Sequence, residues 1–169
     1  MSITKILFYT FLFYFLNLNA SFSEQIKKIG KFKDWETLVL NKNNELTCFA
    51  QTKPVLQSPK ANKRDARLFV TFRPNDKITD EISTTSGYEF NNQNSILATS
   101  GKRKYKFDIA QDGFAWISSN NIEKKMIKTM KKGSRIMVTG YNKTGSQTID
   151  HYSLLGFTKA YNAAKKSCT

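Results

Sequence analysis

A single histidine, two cysteines and three prolines are spread over 169 residues, and each scarcity removes a class of chemistry. One histidine and two cysteines cannot assemble a typical zinc site, which takes three or four suitably spaced ligands. That histidine, His151, directly follows Asp150. Neighbours on a strand point to opposite faces, so the pair does not read as part of a Ser-His-Asp arrangement, and His151 is taken as an ordinary strand residue. Glycine is sparse as well: "GYNKTG" at Gly140–Gly145 lacks the spacing and setting of a phosphate loop. The expectation is a protein that is not an enzyme, with no catalytic residue, cofactor or metal ligand.

Arginine is rare beside lysine, 5 against 22, and only 13 residues are acidic, which leaves a formal net charge of +14. Arginine is the residue suited to bidentate recognition of phosphate or carboxylate, so much of this charge reads as a lysine-rich solvated surface. No nucleic-acid recognition motif accompanies it, and nucleic acid is not expected as a partner. Attraction to an anionic component of the cell envelope or of a host surface remains open. The carboxylates Asp80 and Glu81 lie in a polar stretch read as a solvated turn.

Long apolar runs are missing except for one, Ile6–Leu16, preceded by Lys5 and followed by Asn17, Asn19, Ala20, Ser21 and Ser23. Eleven residues are too few to cross a bilayer, which needs about 20. The order of charge, apolar run and small residues is that of a secretory signal, here residues 1–23, with cleavage before Glu24 or after Ala20. No transmembrane segment is expected once it is removed. Residues 24–169 then form one domain, periplasmic or secreted to the outer surface.

Export gives the two cysteines a meaning, because a pair in an oxidising compartment suggests a disulfide. "GFTKAYNAAKKSC" at Gly156–Cys168 reads as an amphipathic helix with Phe157, Tyr161, Ala164 and Cys168 on one side. In "ELTCFAQ", Leu46, Cys48 and Ala50 share one strand face. Both sulfurs are thus placed toward a core, and a Cys48–Cys168 bridge would latch the terminal helix to an early strand; two separate buried thiols are the alternative.

Between these points the chain alternates in short apolar and polar steps. "DWETLVL", "RLFVTFR", "KYKFDIA", "GFAWISS", "SRIMVTGYN" and "QTIDHYSLL" read as strands, in the pattern of an all-β sandwich. Tyr105, Phe107 and Ile109 are expected on one apolar face. One segment, "NIEKKMIKTMKKG", reads as a helix: Ile122, Met126, Ile127 and Met130 form its apolar arc. Lys124, Lys125, Lys128, Lys131 and Lys132 form the opposite arc, a possible anion-binding surface. Asn120 with Glu123 would make its capping box, and Gly133 would stand left-handed past its end. Trp35 and Trp116 are read as packing residues rather than ligand platforms.

Ala115–Trp116, "MKKG" at Met130–Gly133, Asp150, and "YSLLGFTKA" at Tyr152–Ala160 before the terminal cysteine together resemble the invasion-associated locus B family of exported alphaproteobacterial proteins. The resemblance covers residues 34–168. It implies an immunoglobulin-like β-sandwich of the periplasm or outer surface, linked in some members to host-cell invasion, with no catalytic residues to carry over. A non-enzymatic binding protein is the reading that follows. The alternative is a structural or chaperone-like module that takes a protein partner along a sheet edge.

Overall fold

The computed structural model describes residues 25–61 and 63–169; the expected signal segment lies outside them. Among the described residues, twelve strands and two helices follow in chain order. The first run is β1 (Gln25–Phe32), β2 (Trp35–Lys42), β3 (Glu45–Thr52), β4 (Leu56–Ser58), β5 (Arg67–Arg73) and β6 (Ile78–Thr85). Next come β7 (Ile96–Ser100), β8 (Arg103–Phe107), β9 (Ile109–Gln111) and β10 (Phe114–Trp116). Helix α1 (Asn120–Lys132), β11 (Arg135–Tyr141), β12 (Gln147–Ser153) and helix α2 (Phe157–Ser167) complete the order.

The strands form two sheets, one ordered β1-β2-β3-β5-β6-β10-β9 and the other β4-β12-β11-β7-β8. Each of these pairings is antiparallel. Tight hairpins make this possible. Asn43 and Asn44 take φ of 52° and 63° between β2 and β3, and Asp112 and Gly113 take 49° and 77° between β9 and β10. Two consecutive positive φ values are what the commonest two-residue hairpin turn requires.

Period-two alternation places one side of each sheet in a shared core that includes Leu68, Val70, Ile82, Ile136, Val138 and Tyr152. Both helices contribute to it: Met126, Ile127 and Met130 from α1, and Phe157, Ala160, Tyr161 and Ala164 from α2. Trp35 is fully buried, meets Phe157 edge-on at 4.8 Å between ring centres, and donates its indole N–H to Ser153 O at 2.9 Å. The packing reading of Trp35 therefore holds.

The expected latch is present. Cys48 and Cys168 are joined across 120 residues with their Cα atoms 5.9 Å apart. Thr37 Oγ1 also donates to Ala160 O at 2.9 Å, so α2 is tied to β2 by a buried hydrogen bond and to β3 by a covalent one.

Several local expectations change. Ile109 does not continue the buried face of Tyr105 and Phe107 but is 46% exposed. The chain leaves one sheet at Asp108, whose carboxylate takes the N–H and hydroxyl of Ser118, and enters the other as β9. Asp80 and Glu81 lie on β6, not in a solvated turn. The pairing of β5 with β6 slips between Thr71 and Arg73, and Asp80 takes φ 67°; its carboxylate accepts the Tyr161 hydroxyl at 2.6 Å.

Helix α1 starts from Ser119, not Asn120, and forms no capping box, because Glu123 is used elsewhere. Gly133 is extended, with φ −88° and ψ 168°. A side chain there would meet Leu154 Cδ1 and Thr129 O at 3.1 Å, so close approach, not handedness, favours glycine.

Candidate functional site

Helix α1 and edge strand β8 converge on a strongly basic cleft. Along β8, Tyr105 and Phe107 turn inward while Arg103, Lys104 and Lys106 stay exposed. On α1, burial of Met126, Ile127 and Met130 leaves the lysine arc outside. The two elements are joined by polar contacts. Thr129 Oγ1 pairs with the Tyr105 hydroxyl at 2.6 Å and accepts from Arg103 Nη1 at 3.1 Å.

Around this junction Arg103, Lys104, Lys125, Lys128 and Lys132 line a cleft of about 450 Å³, and no carboxylate among the described residues lines it. Like charges gathered without counter-charges repel one another and raise the local concentration of anions. The arrangement can hold a polyanion, with Arg103 and the lysines approaching from two directions.

The structure thereby divides the five-lysine arc. Lys125, Lys128 and Lys132 line the cleft, whereas Lys124 does not. Lys131 lies against α2 with its ammonium 3.8 Å from the centre of the Tyr161 ring. Burial lowers its pKa, with nearby Asp80 opposing that shift and Lys165 adding to it. Lys131 thus holds the two helices together through a cation–π contact. Arg103 and Lys104 escaped the reading of the sequence, although the run "GKRK" ahead of an alternating strand was the available signal.

Asp150 and His151 do not converge. Asp150 is fully buried, while His151 is half-buried on the alternate side of β12. The Asp150 carboxylate instead receives Arg64 in a two-pronged pair at 2.7 and 3.0 Å, together with Ser86 Oγ and Gln57 Nε2, each at 3.2 Å. These contacts bind β4, the segment before β5 and the residue that follows β6 to β12. Arg64 was not singled out in the sequence, because its partner stands 86 positions away.

The family model described as Invasion associated locus B (IalB) protein matches residues 35–165. The chain belongs to the IalB family. Within this IalB chain the match runs from the buried Trp35 to Lys165 in the last turn of α2, and so takes in both sheets except the edge strand β1, together with the basic cleft and the Arg64–Asp150 network. No curated protein and no solved structure matches the chain.

Proposed function

We propose that this IalB chain is an exported, non-enzymatic binding protein of the periplasm or cell surface. Residues 24–169 act as one domain after removal of 1–23, and the partner is an anionic component of the envelope or of a host surface. The observation that carries the reading is the concentration of Arg103, Lys104, Lys125, Lys128 and Lys132 around one cleft free of lining carboxylates. Membership of the IalB family and the Cys48–Cys168 bridge support an oxidising, exported setting. The immunoglobulin-like assignment belongs to this proposal too, supported by two antiparallel sheets over one core.

The test uses heparin as a polyanion probe with the processed chain. Binding is expected at low salt and is expected to fade toward about 1 M salt, where the screening length falls to about 3 Å. Reversing Lys125, Lys128 and Lys132 to glutamate is expected to abolish it. Binding that ignores both salt and these changes removes the proposal.

A second reading has its own observation. Strand β1 is an eight-residue sheet edge with Ile26 and Ile29 exposed by 62% and 41%, and such an edge can take up a partner's strand. Lys27, Lys28 and Lys31 on the same strand are the kind of charge that discourages indiscriminate pairing. A protein partner crosslinked through β1 and retained at high salt would favour this reading over the basic cleft.

A further inference from the structure

A second cleft opens at the opposite end of α1, and its chemistry differs from that of the basic one. It exists because β10 is short. Along β6 its three residues reach only Ser83–Thr85, and after Trp116 the chain turns away into α1. The stretch Ile78–Ile82 is left beyond the end of β10. Glu123, from the first turn of α1, reaches back and accepts the Ile82 N–H at 2.8 Å, the group a longer β10 would have engaged.

The resulting hollow holds about 370 Å³, with Trp116, Ile109, Arg73, Glu81, Asn120 and Glu123 among its lining residues. Trp116 is half-buried and stacks on Phe114 with ring centres 5.8 Å apart and planes 29° apart. Phe114 in turn meets Phe69, and Phe69 meets Phe49, each at 6.1 Å. An aromatic row therefore crosses the outer face of the larger sheet and ends at the hollow.

The polar groups there are mixed, not of one sign. Arg73 meets Glu81 in a two-pronged pair at 3.0 Å and donates its Nε–H to Asp76 at 2.9 Å, so its charge is matched and its plane is held. Asn120 offers a donor and an acceptor. Glu123 uses one carboxylate oxygen on Ile82, and the other has no partner among the described residues. Burial, with Glu81 and Asp80 nearby, raises Glu123 to about 7, so near neutrality its carboxyl serves both as donor and as acceptor.

We infer that this hollow binds a neutral sugar residue of a glycan, its apolar ring face against Trp116 and its hydroxyls on Glu81, Arg73, Asn120 and Glu123. Three features select that ligand class. An indole beside closely placed donors and acceptors matches a ring that is apolar on its faces and hydroxylated at its rim. The charged groups of the lining are of both signs, Arg73 and Lys77 against Glu81 and Glu123, so neither an anion nor a cation is favoured. The Ile82 N–H, where a peptide strand would begin to extend the pairing along β6, is already taken by Glu123, which disfavours strand addition. The volume lies near the lower end of the range for small-molecule sites, about 300–1,000 Å³, which fits one ring.

The experiment follows the fluorescence of Trp116 and ligand-observed NMR of the processed chain with maltohexaose, cellohexaose, chitohexaose and mannohexaose as probes. At least one probe is expected to bind saturably and to do so unchanged at about 1 M salt. Trp116→Ala is expected to weaken it at least about tenfold with the fold intact. Glu81→Gln, which leaves the ring platform in place, is expected to weaken it as well. Reversal of Lys125, Lys128 and Lys132 is expected to leave it unaltered, so this inference and the heparin proposal can fail separately. No binding by any probe overturns the inference. So does binding that survives Trp116→Ala and Glu81→Gln, or binding that disappears with salt and with the lysine changes.

Discussion

Gly156 shows how one atom can decide whether an element docks. It stands at φ 93°, and a β-carbon there would lie 1.8 Å from the carbonyl oxygen of Phe32, a backbone atom that cannot swing aside. Gly156→Ala is therefore expected to cost about 3 kcal/mol or more, read from a denaturant melt. Asp150 carries a different burden. Asp150→Ala strands the Arg64 guanidinium in the interior, and removing one partner of a buried pair costs about 3–5 kcal/mol. His151→Ala, next door on the other face, is expected to stay within about 1 kcal/mol; similar losses from both changes would contradict the opposite-face placement. Glu123 sets a pH dependence. Its folded pKa of about 7 lies above its ordinary value of 4.5, so the native state holds the proton more tightly than the unfolded chain does. Stability from this group is complete below about 4.5 and is lost as pH rises through about 7. Glu123→Gln keeps an acceptor for Ile82 and removes the buried charge. Allowing for solvent screening, it should stabilise the protein by about 1–2 kcal/mol above neutrality and by nearly nothing in acid, which thermal melts across pH would reveal.

Helix α2 and strand β3 stand as the best-read pair of elements. Apolar spacing of four, three and four on one and period-two alternation on the other pointed both cysteines inward, and the two sulfurs meet. Closing so long a loop is worth about 4–5 kcal/mol through the entropy of the unfolded chain. Cys168→Ser should lower stability by about that amount while the helix stays docked by Phe157, Tyr161 and the Thr37 bond to Ala160. Circular dichroism with a shifted but cooperative melt would show this, whereas lost helix signal would mean the bridge alone holds α2. Other elements were illegible for physical reasons. Strand β1 is a sheet edge rich in lysine, and a strand that buries so little shows no apolar alternation. Strand β6 carries Ser83 and Thr84 in buried positions, so a hydroxylated interior looks like a loop in sequence. Neither cleft was readable in full. One needs Arg103 and Lys104 brought from β8 to face α1, and the other needs β10 to stop at Trp116. Both depend on where chains end and meet, and local periodicity does not encode that.

At the scale of the molecule, an excess of positive charge has to be carried somewhere, and its placement separates a passive surface from a selected one. Lys124, Lys128 and Lys132 follow one another at four-residue steps on an exposed helical face, where like charges destabilise each other by about 0.2–0.5 kcal/mol per pair. A charge spread only for solubility would relieve such repulsion with interspersed carboxylates, yet the cleft beside these lysines has none in its lining. Lys128→Glu turns two repulsive steps into attractive ones, and the new carboxylate stands four residues before Lys132, in the more favourable order. The variant is expected to gain about 1 kcal/mol in low salt, and the gain should vanish at about 1 M salt as screening removes both signs of interaction. The same change should weaken heparin binding. A higher melting temperature together with lost binding is the signature of charge kept for a partner at a cost to the fold. If Lys128→Glu leaves stability unaltered in low salt, the lysines are too well solvated to sense one another, and the electrostatic case for the cleft loses its footing.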